Sequence, residues 1–352
     1  MPAYSWRGLS LDIARSYFPP TVLRDIIDRI AGLGLNRLHV HLTDDQGWRI
    51  EIPGRPELTE VSGRTAIRGG NPGWLTVADW TGLAEYGERR GVVLVPEIDL
   101  PGHITAALHA TPALTAGRPT GAYDTDHIAP TGLDPALPAT EEFLRDVLGA
   151  LAAMTPGGWI HIGGDECLSL SDQDYRALIS LAVGIVEEHG KQPVAWQEAA
   201  LAGLGDRLIL QLWALGSATP EYARPAAMAN LTSEELAAMA AADPLIGLFD
   251  RTTAALIREA DRGAGIIMSP APWTYLDMRS TPDGPGQDWA GVLTVERAGD
   301  WDPATVLPGL DPARIIGVEA ALWSELVHTE AELYDRLFPR LGAFARVATR
   351  ER

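Results

Sequence analysis

Cysteine occurs once, at Cys167, in a chain of 352 residues, so neither an intramolecular disulfide nor a thiolate cage around a metal can form. Lysine is as scarce: Lys191 is the only one, and nearly all positive charge is arginine. With 28 basic residues against 47 acidic ones and a formal net charge of −19, the chain lacks the clustered cations that phosphate backbones and anionic membranes require. Nucleic acid and membranes are therefore not expected partners, and neutral ligands fit better. No apolar run approaches the ~20 residues of a membrane-spanning helix, and no Gly-rich dinucleotide or phosphate-binding fingerprint occurs. The opening M-P-A-Y-S-W-R-G has neither the basic nor the apolar segment of a signal peptide, so the expectation is a cytoplasmic protein or a trimmed secreted one. Phenylalanine is sparse, five residues against 11 tryptophans, the reverse of an ordinary core. Such a balance suits a cleft with flat apolar walls.

What is present is enough for a large core, with 46% hydrophobic and 21% charged residues. Two-residue alternation or short apolar runs mark eight strand candidates, at residues 4–12, 35–42, 92–95, 159–163, 193–196, 208–213, 265–269 and 315–319. Helical patterns lie between most of them. One follows Pro19 and Pro20 through Val22, Leu23, Ile26, Ile27 and Ile30; others cover 79–90, 140–154, 171–189 with Ser171 as cap, 249–262 and 330–347. This order, without a repeat or a composition break, predicts a single domain over 1–352, an α/β fold of the (β/α)8 TIM-barrel type. The barrel should be irregular around its seventh helix, because 270–312 shows no amphipathic pattern. A helical insertion is expected near 214–248, with Thr232 and Glu235 as a capping box, serving as a wall of the leaving-group side or as a homodimer contact. The Gly/Pro-rich stretch 111–138 is long for a compact domain and is expected to be a functional loop.

The densest chemistry is W-I-H-I-G-G-D-E, residues 159–166. Adjacent carboxylates at a strand end point in different directions and can take different roles, or Asp165 and Glu166 merely cap the next helix. Polar and aromatic residues recur after the other strands too: Arg7, Asp44, Asp99, His103, Trp196, Trp213, Tyr275 and Glu325. In a (β/α)8 barrel the C-terminal strand ends face one site, which favours a shared active site over scattered surface charge. Cys167 beside Glu166 reads as packing rather than as a nucleophile. His39 and His41 form an H-x-H pair that in metal-dependent amidohydrolases binds a metal, which is the competing reading; a sugar-binding protein without catalysis is another.

Several strings resemble the β-N-acetylhexosaminidases of glycoside hydrolase family 20. They are W-R-G-L-S-L-D with Arg7, H-L-T-D-D-Q-G-W-R at 41–49, P-E-I-D-L-P-G-H at 96–103, H-I-G-G-D-E at 161–166, then W-Q-E, Q-L-W, Y-L-D-M and A-L-W-S-E with Trp196, Trp213, Tyr275 and Glu325. The resemblance spans nearly the whole chain. It implies removal of terminal N-acetylglucosamine, or N-acetylgalactosamine, from β-linked oligosaccharides or glycoconjugates with retention of configuration, the substrate's acetamido oxygen acting as nucleophile. No metal or other cofactor is implied. By the same resemblance Glu166 is general acid and then base, Asp165 binds the acetamido N–H, and Tyr275 positions its oxygen. Trp196, Trp213 and Trp323 would wall the acetamido group, with Trp289 along the sugar face. Arg7, Asp277 and Glu325 would hold ring hydroxyls, and Asp44, Asp99 and His103 would orient Glu166. A Trp-lined surround is expected to favour the protonated acid at Glu166 and a charge-assisted contact the ionised form of Asp165. An α/β domain often precedes the barrel in that family; Arg7 comes so early that none is expected here.

Overall fold

A computed structural model describes residues 4–216 and 244–350. All eight expected strands form: β1 (Trp6–Asp12), β2 (Arg37–His41), β3 (Val93–Glu97), β4 (Trp159–His161), β5 (Gln192–Trp196), β6 (Ile209–Leu212), β7 (Ile266–Met268) and β8 (Ile315–Leu322). Each pairs in parallel with its neighbours in chain order, and β8 returns to β1, so the sheet closes as a (β/α)8 barrel. Closure leaves no sheet edge unpaired.

The helices follow from their apolar faces. In Pro20–Gly32, Val22, Leu23, Ile26, Ile27 and Ile30 are buried on one face while Arg24, Asp25 and Arg29 stay outward, and a proline at the first position costs no hydrogen bond. Val77–Glu88 begins two residues earlier than its apolar pattern, because Thr76 and Asp79 close a reciprocal capping box. Ser171 caps Asp172–Glu188 by accepting from the Asp174 N–H, as expected. The closing helix is two helices, Glu330–Leu337 and Arg340–Thr349. The break falls at Phe338 and Pro339, where proline removes an amide donor and disfavours helical geometry in the residue before it. Between β7 and β8 only the short α-helices Ala271–Thr274 and Val295–Gly299 and the single 3-10 turn Pro312–Arg314 occur among the described residues, so the barrel is irregular there. The expected insertion falls mainly on residues outside those described; the chain resumes in helix Pro244–Asp261.

Two features shape the upper rim. After β2 a small hairpin pairs Thr43–Asp44 with Gly47–Trp48, and the buried Arg49 beyond it donates to the carbonyls of Ile13, Ala14, Gly63, Thr65 and Gly73. One guanidinium thereby stitches three loops together. The long 111–138 loop is anchored across the same hairpin, with Gln46 Nε2 donating to the Thr125 carbonyl at 2.7 Å and the Ala129 N–H donating to Asp45 Oδ2 at 3.1 Å.

Candidate active site

A cavity of about 360 Å³ opens at the C-terminal ends of the strands, within the size range of small-molecule sites. Arg15 enters it after β1, His103 after β3, Asp165 and Glu166 after β4, and Trp213 after β6. Tyr275 and Asp277 come after β7, Trp323 and Glu325 after β8. The hairpin contributes Gln46, and the anchored loop brings Asp126, His127 and Ile128 to the rim.

The turn after β4 requires its glycines. Gly163 has φ 67° and Gly164 has φ 110°, a region that other residues enter only at a cost. A Cβ on Gly163 would also lie 1.8 Å from Asp99 Oδ1. Asp99 occupies that space and accepts the Gly164 N–H at 3.2 Å, while Tyr175 Oη donates to the Gly164 carbonyl at 2.5 Å. Held from both sides, the turn presents Asp165 and Glu166 to the cavity. Glu166 itself has φ 48°, as does His103 opposite. Left-handed backbone at two non-glycine residues costs on the order of 1–3 kcal/mol each and clusters at functional sites.

His103 sits between the carboxylates. Its Nε2 is 3.4 Å from Glu166 Oε2 and 4.0 Å from Asp165 Oδ2, and its Nδ1 is 3.2 Å from Asp44 Oδ1. Asp44 Oδ2 in turn pairs with Arg15 Nη2 at 2.8 Å. Asp44 thus contacts His103 and His103 faces Glu166, while Asp99 touches the backbone of the turn. Burial alone would lower the His103 pKa, but Asp44 and the two acidic neighbours in the turn hold it well above the ordinary histidine value.

In Asp165 the balance is reversed, and burial outweighs the neighbouring charges. Burial pushes its carboxyl up to about 6, against the pull of His103 and with Glu166 adding to the rise. Its Oδ1 is buried and has no hydrogen-bond partner among the described residues, so little in the protein offsets the desolvation. Asp277 Oδ1 and Glu325 Oε2 share that condition. Burial and the nearby Glu325 raise Asp277 to about 8, and burial raises Glu325 against the attraction of Arg15. Three carboxyl groups of one cavity therefore have oxygens in need of N–H or O–H donors.

Aromatic rings complete the walls. Trp213 stacks on Tyr275 with centroids 6.3 Å apart and planes 9° apart, and Trp289 stands edge-on to Tyr275 at 5.6 Å. Trp323 closes the box at 6.0 Å from Tyr275. Trp289 is 45% exposed, which rules out a core role and makes it a rim residue. Trp213 is fixed by its neighbours: Glu198 accepts its indole N–H at 3.1 Å, and Gln197 Oε1 accepts its backbone N–H at 2.9 Å. The W-Q-E and Q-L-W strings thus form one unit.

Two expected binding residues do not line the cavity. Arg7 is the second residue of β1, at the opposite end of the barrel, where its guanidinium donates to the carbonyls of Gly34 and Tyr4 at 2.8 and 2.6 Å. The residue that fills the intended place is Arg15. Strand direction could have identified it, since a barrel site uses residues beyond the C-terminal end of β1 rather than its beginning. Asp12 accepts the Arg15 N–H at 3.2 Å and Asp12 Oδ2 lies 3.5 Å from Arg15 Nη1. Trp196, 1% exposed, lies below the cavity, its indole N–H drawn inward by Glu97 Oε1 at 2.8 Å and its ring 5.7 Å from Trp323. It supports a wall rather than forming one.

These placements separate the two arginines. Arg15→Gln is expected to lower kcat/KM by at least about 100-fold, since Asp44, Asp12 and Glu325 then lose a buried cation they share. Arg7→Gln should stay within about twofold. Steady-state kinetics of both variants, with thermal unfolding as the check on folding, decides it; comparable losses would contradict the assignment of Arg15.

The H-x-H pair is buried among carboxylates inside the barrel. His39 and His41 are fully or almost fully buried, and both oxygens of Glu97 are engaged by His39, His41, His161 and Trp196. His41 and Glu97 are matched to each other at 2.6 Å, whereas Nε2 of His39 and of His161 makes no hydrogen bond among the described residues, and one ligand atom each of His39, Glu97 and His161 lies within 4.8 Å of the others. Cys167 lines a separate small pocket rather than this cavity, and burial pushes its thiol up, which suits packing rather than nucleophilic attack.

The catalytic-domain model of glycosyl hydrolase family 20 matches residues 4–177 and 173–350. A β-N-acetylhexosaminidase of Cellulomonas fimi is 40% identical over 99% of this chain and 64% of its own length. Among solved structures, the N-acetyl-β-hexosaminidase of Streptomyces plicatus in complex with Thio-NAglucal superposes with a TM-score of 0.87 at 36% identity, covering 99% of this chain and 64% of that one. An exo-β-N-acetylglucosaminidase of Vibrio harveyi in complex with N-acetylglucosamine gives 0.78 at 29% identity over 100% of this chain and 55% of the other. The chain thus spans somewhat less than two thirds of the length of these relatives.

Proposed function

The chain belongs to glycosyl hydrolase family 20, and from that premise we propose that its barrel mouth releases terminal N-acetylglucosamine, and N-acetylgalactosamine as a second substrate, from β-linked oligosaccharides or glycoconjugates by a retaining, substrate-assisted route. One observation carries this reading. Asp165 Oδ1 is a buried acceptor with no donor among the described residues, set beside the Trp213–Tyr275–Trp323 box. An acetamido group supplies both halves of what such a place lacks, an N–H for the carboxylate and a flat apolar body for the rings. Asp277 Oδ1 and Glu325 Oε2 are matching acceptors for sugar hydroxyls.

The chemistry then divides among adjacent groups. The acetamido oxygen attacks the anomeric carbon, the bond to the leaving oxygen breaks, and Glu166 gives its proton to that oxygen. Positive charge develops on the resulting oxazolinium ring, and ionised Asp165 stabilises it through the ring N–H. Glu166, now a carboxylate facing His103, takes a proton from water as the water attacks the same carbon, which restores the acetamido group with net retention. No protein nucleophile is needed.

The test is a pair of chromogenic substrates differing only at C2. The N-acetylglucosaminide should be hydrolysed and the plain glucoside should be slower by at least about 10³-fold, since it loses the nucleophile itself. Comparable rates on the two would overturn the assisted route.

A further inference from the structure

The inside of this barrel is unusual. Inward positions in (β/α)8 barrels are mostly Val, Ile and Leu, yet His39, His41, Glu97, His161, Gln211 and Glu319 are all at most 1% exposed here. They continue inward from the site as a row. Asp44, which holds His103 through Oδ1, has its Oδ2 2.8 Å from His41 Nε2. His41 Nδ1 is 2.6 Å from Glu97 Oε2, the same oxygen is 3.0 Å from His39 Nε2, and His39 Nδ1 is 2.9 Å from Glu319 Oε1. Imidazole and carboxylate alternate from Glu166 to the barrel centre.

Buried ion pairs are weak devices for stability, since apolar side chains of similar volume often do as well or better. A row of this length therefore calls for another reason. We propose that His41 is a positioning residue for the reaction: clamped from below by Glu97, it fixes Asp44, and through Asp44 and His103 it sets the carboxyl of Glu166. This rests on Glu166 being the proton donor. A ring with a carboxylate oxygen at each nitrogen donates to both only as an imidazolium. The groups around His41 suit that state. Asp44 and Glu97 touch it and Asp99 lies in the same cluster, and these carboxylates outweigh Arg15, whose Nη1 is 3.5 Å from Nε2 and opposes the charge; the ring of Trp323 is 5.1 Å away. Burial opposes the charge, but the carboxylates hold His41 well above the ordinary histidine value. Glu97 is the fixed end of the clamp, because the Trp196 indole donates to its other oxygen at 2.8 Å.

The experiment compares His41→Gln, His103→Gln and the double variant on an unactivated disaccharide and on an aryl N-acetylglucosaminide with a good leaving group. His41→Gln should lower kcat/KM on the disaccharide by about tenfold or more, with a much smaller loss and an unchanged KM on the aryl substrate. The double variant should be little worse than His103→Gln alone, as residues acting in series are not additive. Equal losses on both substrates, or additive losses in the double variant, would overturn the proposal. Should the variant fail to fold, nitrogen-15 NMR of the wild-type histidine rings still decides: His41 should carry protons on both nitrogens at the pH of maximal activity, and a singly protonated ring there refutes the clamp. Failure of the wild-type protein on the aryl substrate would instead count against the hexosaminidase reading.

Discussion

Glu166→Gln should slow hydrolysis of an unactivated N-acetylhexosaminide by about 10²- to 10⁴-fold, the usual worth of a general acid, and should slow an aryl substrate with a good leaving group far less. The amide has the same shape but no proton to give, so the loss tracks how much the leaving oxygen needs one. Glu166 stands on a turn held by Asp99 and Tyr175, with His103 Nε2 3.4 Å from its Oε2. A plot of log kcat/KM against leaving-group pKa should therefore be steeper for the variant than for the wild type. Equal losses across the series would remove Glu166 from the acid role.

Asp165→Asn should cost about 10²- to 10³-fold in turnover, comparable with losing one preorganised charge stabiliser, and it should do so for good and poor leaving groups alike. The pH dependence gives a second signature. Burial raises Asp165 to about 6, and only its ionised form opposes the positive charge of the intermediate. Activity of the wild type should accordingly fall as pH drops through about 6, and that acidic limb in kcat/KM should be lost in the variant. The linked stability runs the other way: an unfolded aspartate ionises lower, so between the two values the folded state holds the extra proton and the protein loses stability as pH rises. Replacing Asp165 should flatten that part of the stability profile. An unchanged acidic limb in Asp165→Asn, or near-normal turnover, would contradict the role.

The alternation of short apolar strands with amphipathic helices was enough to predict the eight-stranded barrel, because periodicity and helix capping are local properties carried by neighbouring residues. For the same reason the turn at Gly163 and Gly164 and most of the rim were legible: the motifs follow strand ends, and strand ends meet on one face. The split at Pro339 should have been read too, since a proline inside a helical pattern is a local signal.

Depth and direction were not local. Arg7 stands near the start of β1 and Arg15 beyond its end, and only the closed sheet decides that one of them faces the cavity while the other lies at the opposite end. Trp196 ends a strand as Trp213 nearly does, yet Glu97, a residue from two strands away, draws its indole below the floor. His39 and His41 look alike as metal ligands or as core, and it is the tertiary pairing with Glu97, Glu319 and Asp44 that makes them links in a row. By itself the sequence determined which residue types stand at the ends of the strands. The tertiary structure alone decided which of them meet, because contacts between residues far apart in the chain depend on strand register and closure, which no short string of amino acids records.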